Sequence, residues 1–278
     1  MQQIMFTRPF HIVIISLILG FPMVSSAQTY NDYLDRSFSC LEMDDLICAE
    51  EALITALRME PANINNGILL SNLGTIQRRL KRYPEAIISY SSGLMLMPKS
   101  VTLLMNRASL YCEIDSLQDA LADYTTAILV DDKNEEAFYL RGLLKLQLAD
   151  TTGARIDFDH ILEFKPSSSR ARLGLAALGK YMGRYTDSER LYSMVLSANP
   201  NDAEILLNRS EVYLLLNRLS KALEDVNKSI ELQNDNPLAY IMRAKIRLRQ
   251  YDRRLAMQDL DRARQLGGDP ELIDSLAK

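Results

Sequence analysis

Tryptophan is absent from these 278 residues, histidine occurs twice and cysteine three times. Each scarcity closes off a class of function. Without tryptophan there is no indole platform for stacking sugars, although 13 tyrosines remain. His11 stands just before the first apolar run, so His160 is the single imidazole beyond it, set among Asp157, Asp159 and Glu163. That setting reads as an exposed helix residue and not as part of a nucleophile–base–acid arrangement, which needs convergent partners. Cys40, Cys48 and Cys112 match no zinc-ligand spacing. No glycine-rich phosphate loop exists; Gly74, Gly142 and Gly174 stand alone and read as packing glycines. The chain is therefore expected to have no catalytic residues, no metal and no cofactor.

Charge of one sign is also lacking. The formal net charge is -4, too mild and of the wrong sign for a nucleic-acid surface. The short cluster Arg78, Arg79, Lys81, Arg82 reads as a solvated helix end, with a contact for an acidic partner as the alternative. Long apolar runs are missing after the first residues. Arg8 precedes Ile12 to Leu19, and the stretch closes in Val24-Ser25-Ser26-Ala27. Small residues at those places fit a secretory signal cleaved after Ala27, and the apolar core is short of the roughly 20 residues that span a membrane. The expectation is an exported protein, periplasmic or at the cell surface, with no transmembrane span after cleavage.

What is present is a period. Val101 to Asn134 recurs in both directions every 34 residues. The eighth place of each block is small: Gly74, Ala108, Gly142, Ala176, Ser210, Ala244. The twentieth is Ala86, Ala120, Ala154, Ser188, Ala222, Ala256, and the twenty-fourth is Tyr90, Tyr124, Phe158, Tyr192, Val226, Leu260. Apolar residues recur at helical steps in both halves of a block. In that central block they predict one helix over about Val101–Ile114 and a second over about Leu117–Val130. Pro61, Pro98, Pro166 and Pro200 stand where second helices must stop. Small residues let two helices approach closely, and the large residue four places on fills the adjoining gap. A fixed period in this range marks a solenoid whose units bury their faces on each other.

The spacing of small residue, alanine, aromatic and closing proline (Gly74, Ala86, Tyr90, Pro98; Ala176, Ser188, Tyr192, Pro200) resembles the tetratricopeptide repeat. The resemblance implies an all-α fold, a right-handed α-solenoid of helical hairpins. Its expected organisation is a signal peptide over 1–27, then a solenoid over 28–278 with repeats at about 30–63, 67–100, 101–134, 135–168, 169–202, 203–236 and 237–270. Asp269 and Pro270 open a short capping helix to the end of the chain.

Two correlations run through the blocks. The seventh place is arginine in four of them, Arg107, Arg141, Arg209 and Arg243, and the twenty-third is then aspartate, Asp123, Asp157, Asp225 and Asp259. Where the seventh is Leu73 or Leu175, the twenty-third is Ser89 or Leu191; Arg36 faces Ala52 in the first block. A hairpin turning near the fifteenth place sets these positions opposite each other, so an Arg–Asp bridge is expected in four hairpins. Cys40 and Cys48 fall on the same stripe, nearer the bend. They form either a hairpin disulfide or two buried thiols, and Cys112, without a partner in its own block, is left free or bonded between molecules.

The resemblance also implies a binding face made from first helices. Carried onto this sequence, it points to Asn72, Asn106, Tyr139, Leu143, Leu146, Tyr181, Asn208 and Leu214. The family's basic clamp for C-terminal carboxylates is missing, because Ser71, Thr75, Glu136 and Leu140 flank Asn106. The expected partner is a protein or peptide held by a non-enzymatic scaffold or adaptor. The alternatives are a structural subunit of an envelope or secretion assembly and an accessory module that recruits an enzyme.

Overall fold

The computed structural model describes residues 28–278, which are helix and turn without a strand. The expected signal over 1–27 lies outside the described residues. Two compact units divide the chain, one ending at Glu60 and the other spanning Pro61–Lys278.

In the first unit α1 (Tyr30–Glu42) and α2 (Leu46–Met59) form a hairpin. Thr29 opens α1 through a reciprocal capping box with Asp32. The Ser37 hydroxyl donates to the Ala49 carbonyl at 3.2 Å, which satisfies a buried polar group at the crossing.

The second unit stacks hairpins in chain order. They pair α3 (Asn66–Arg79) with α4 (Tyr83–Leu96), α5 (Val101–Glu113) with α6 (Leu117–Val130), and α7 (Glu135–Gln147) with α8 (Thr151–Phe164). Then follow α9 (Ser169–Tyr181) with α10 (Tyr185–Ala198), α11 (Ala203–Leu215) with α12 (Leu219–Leu232), and α13 (Pro237–Arg249) with α14 (Arg253–Gln265). The capping helix α15 (Pro270–Ala277) closes the stack, started by the Asp269 side chain accepting from the Glu271 and Leu272 amides. Its Ile273 is fully buried against the last hairpin. The chain is an all-α solenoid of repeated helical hairpins.

Each hairpin turns by the same device. The fifteenth place is left-handed in every block: Asp44, Lys81, Asp115, Ala149, Gly183, Asn217 and Tyr251 all have φ between 55 and 74°. In the central block the Asp115 amide donates to the Cys112 carbonyl and the Ser116 amide to Tyr111, which ends α5 in a Schellman motif. First helices start just as regularly. Ser100, Asn134, Ser168, Asp202 and Asn236 occupy the last place of the preceding block, and each side chain accepts from a first-turn amide.

The small places are small because rings lie on them. A Cβ on Gly74 would sit 2.7 Å from the Tyr90 ring, and one on Gly142 or Gly174 would sit 2.5 or 2.4 Å from Phe158. Ala108, Ala120, Ala154 and Ala176 are fully buried at the equivalent crossings. Where serine replaces alanine at Ser188, its hydroxyl donates to the Ala176 carbonyl at 2.7 Å.

Candidate functional site

Two sets of side chains stand out, those that lock the hairpins in place and those left open on the first-helix face.

The locking set is built on arginine. Arg107 is bidentate to Asp123, with both nitrogen–oxygen distances at 2.8 Å. Arg141 meets Asp157 at 3.0 and 2.7 Å, Arg209 meets Asp225 at 2.7 and 2.8 Å, and Arg243 meets Asp259 at 2.8 Å. The fork geometry suits a carboxylate held by two parallel bonds. The remaining guanidinium nitrogen reaches back to the preceding hairpin. Arg107 donates to Ser91 (2.8 Å), Arg141 to Thr125 (3.3 Å), Arg209 to Ser193 (3.0 Å) and Arg243 to Asn227 (3.0 Å). Each arginine thus joins three helices, two in its own hairpin and one before it. This third partner was missed in the sequence, although the same spacing of 16 residues carries it.

An aromatic face completes each site: Tyr111, Phe138, Tyr213 and Tyr240 lie 5.4 to 5.7 Å from the guanidinium carbons. Where the eleventh place is basic instead of aromatic, Lys145 and Arg247 add a second cation to Asp157 and Asp259. The aspartate hydrogen bonds push Arg107 and Arg209 above the ordinary arginine value, outweighing burial. In the α3/α4 hairpin, which lacks the arginine, the Ser89 hydroxyl donates to Gln77 at 2.7 Å instead. In the first unit Cys40 and Cys48 form a disulfide across the bend, with Cα atoms 5.8 Å apart. Cys112 is a half-buried thiol, pushed up by burial.

The first helices leave clefts between successive hairpins. One of about 300 Å³ lies between α5 and α7 and holds Asn106, Met105, Glu136 and Leu140. A second of about 240 Å³ is formed by α7, α9 and α11 and holds Tyr139, Leu173, Ala177, Tyr192, Glu204 and Asn208. A third of about 290 Å³ lies beside α13 and α15, between Leu214, Lys245, Leu248 and Leu276. Of the residues expected on this face, Asn106, Tyr139, Asn208 and Leu214 line clefts. Asn72 is exposed on α3, and Tyr181 is exposed at the end of α9. Leu143 and Leu146 are turned inward, half-buried against the Phe158 cluster.

Ion pairs cross the face between hairpins: Arg78 with Glu113 at 2.7 Å and Lys180 with Glu211 at 2.5 Å. Arg78 and the Tyr83 hydroxyl hold the Glu113 carboxyl below its usual range. His160 differs from the exposed residue expected. It is half-buried, with its ring 4.6 Å from Phe138 and Nδ1 2.9 Å from Glu163, because an imidazole presents an apolar body with a polar tip. No cluster of three or more ligating side chains could hold a metal among the described residues, and no described helix is long and apolar enough to cross a membrane.

Comparisons with known proteins fall on this geometry. Residues 172–237 match the tetratricopeptide repeat. The crystal structure of a tetratricopeptide repeat protein from Parabacteroides merdae ATCC 43184 is similar at 40% identity, with a TM-score of 0.79, over 89% of this chain and 97% of that one. The chain belongs to the tetratricopeptide repeat family. It is also similar to the DnaJ homolog subfamily C member 7 homolog of Dictyostelium discoideum, 26% identical over 68% of the chain and 38% of that protein. It resembles the human mitochondrial import receptor subunit TOM70 at 25% identity, over 59% of the chain and 27% of the receptor. The chain thus spans well under half the length of either curated relative.

The repeats explain why the arginine lock belongs to the fold and the clefts do not. The lock recurs wherever arginine and aspartate share a repeat. The clefts differ from one repeat to the next in polarity, and such differences are where a shared scaffold carries a particular function.

Proposed function

We propose that this tetratricopeptide repeat protein is a binding scaffold that holds a partner polypeptide along its first-helix face. The observation that carries the reading is the run of clefts from α5 to α15. They lie on one face of the hairpins, while the second helices present their own surface elsewhere. Helices there offer side chains of mixed polarity in a row, the arrangement that suits an extended segment or an amphipathic helix. A mitochondrial import receptor subunit among the relatives, by name, is consistent with a binding scaffold. We place the protein outside the cytoplasm, on the strength of the amino-terminal signal pattern and the Cys40–Cys48 disulfide, which suits an oxidising compartment.

A second reading has its own support. Ile88 and Met95 on α4, Leu129 on α6 and Ile156 on α8 are apolar and 62 to 84% exposed on second helices. Exposed apolar side chains on successive second helices suit a subunit that docks by its outer helices. Affinity capture from envelope extract separates the two readings. Ala177→Arg, which fills the α7–α11 cleft, is expected to abolish partner recovery, while Met95→Glu with Leu129→Glu leaves it intact. The reverse pattern would move the interface to the second helices.

A further inference from the structure

One cleft on the first-helix face contains more unanswered polar groups than the fold requires. Tyr192, on α10, is 97% buried by its 3% exposure and lines the cleft of α7, α9 and α11. Its hydroxyl has no partner in the protein, and neither do the Tyr139 hydroxyl, the Asn208 amide or the Glu204 carboxylate, which line the same space. No buried side-chain oxygen or nitrogen is both sealed and unpaired among the described residues, so the Tyr192 hydroxyl opens into the cleft.

Equivalent repeats show that this is not the ordinary state of that tyrosine. Tyr90 and Tyr124 occupy the same place in earlier repeats, and their hydroxyls are met by Thr75 at 3.1 Å and by Ser109, both at the ninth place. Phe158 has no hydroxyl to satisfy and faces Leu143 at that place. Only the α9/α10 repeat keeps a tyrosine opposite an alanine, Ala177, among these four. Facing the cleft, this hydroxyl is left to solvent, and a guest that covers it without a hydrogen-bonding group of its own costs about 1–3 kcal/mol. Retention of the Tyr192 hydroxyl where the ninth-place hydroxyl is gone leaves it available to a polar guest.

The other polar groups narrow what that partner is. Lys180 is already held by Glu211, and Asp202 is turned to the Ile205 amide as a helix cap. What remains open is one carboxylate, two phenol hydroxyls and one side-chain amide, and of these Glu204 is the single charged group and accepts only. The phenols also feel negative charge. Burial, then Glu211, Tyr139 and Glu204, push Tyr192 far above the ordinary tyrosine value. Burial and then Glu204 raise Tyr139, with Arg170 opposing. An acidic guest would face the Glu204 carboxylate, and an apolar one would leave the Tyr192 hydroxyl sealed and unpaired.

We propose that this cleft takes a basic side chain of the partner polypeptide, arginine by preference. The assignment rests on the scaffold reading above. A guanidinium brings five donors in a planar fork, enough to pair Glu204 and both phenols together, and it packs well on aromatic faces.

The test uses the full chain and short labelled peptides alternating glycine with arginine, glutamine or glutamate, read by fluorescence anisotropy. The Gly-Arg peptide is expected to bind, and Glu204→Gln and Tyr192→Phe each to weaken it about tenfold, as loss of one charge-assisted or buried hydrogen bond does. Glu231→Gln, on the exposed side of α12, leaves binding unchanged. Far-ultraviolet circular dichroism checks that each variant is folded. Gly-Arg binding that is indifferent to Glu204→Gln and Tyr192→Phe overturns the assignment. If the Gly-Gln or Gly-Glu peptide binds instead and is lost in Ala177→Arg, the basic guest is wrong while the scaffold reading stands. If no peptide responds to Ala177→Arg, both fall.

Discussion

At Tyr251 the backbone adopts a conformation that its side chain disfavours. Its φ is 61°, it is 95% exposed, and it occupies the turn place that Gly183 fills in another repeat. A left-handed residue with a Cβ costs about 1–2 kcal/mol, and the exposed ring recovers little of that by packing. Tyr251→Gly is therefore expected to stabilise the protein by about 0.5–1 kcal/mol, after the extra flexibility of glycine in the unfolded chain is offset. An unchanged or lowered urea midpoint would count against this account of the turn. Gly142 is the opposite case. Its conformation is ordinary, and it is glycine because the Phe158 ring leaves no room for a Cβ. The role of Gly142 was legible in the sequence, where it falls at the small place inside a first helix; the left-handed backbone at Tyr251 was not, because a tyrosine carries no turn signal.

Among elements, the unit of cohesion is the arginine that binds three helices. Arg209 and Asp225 offer the cleanest measurement, since Asp225 has no second cation, unlike Asp157 and Asp259. Both side chains are largely withdrawn from water, at 19 and 8% exposure, so solvent screening removes little of their coupling. A double-mutant cycle with Arg209→Met and Asp225→Leu is expected to give about 1–3 kcal/mol of interaction, with the double variant closer to the parent than the sum of the singles. Additive losses would mean that the pair contributes by packing alone. The pairing could be read from the sequence because both partners sit at fixed places in one hairpin and vary together. The reach to Ser91, Thr125, Ser193 and Asn227 was harder to see. Hydroxyls and amides are common on helix surfaces, and their role depends on how one hairpin sits against the next.

Across the stacked unit, each hairpin depends chiefly on its neighbours, so damage should stay local. Ile273→Ala removes a fully buried side chain of α15 that packs on Tyr240, Ala244, Leu260 and Ala263. The expected cost is about 2–5 kcal/mol, felt as faster hydrogen exchange in α13 and α14 while α3 and α4 keep their protection. Uniform loss of protection would instead mark a single cooperative block. The repeat length, the helix pairs, the small crossings and the arginine–aspartate partners were fixed by the sequence alone, since each depends on contacts within one repeat that recur at constant spacing. Tertiary structure decided which hydroxyls find partners and which face a cleft. Tyr192 and Tyr124 are the same letter at the same place, and they differ only in what the packed neighbour presents. That outcome depends on how adjacent helices approach, which a period does not specify.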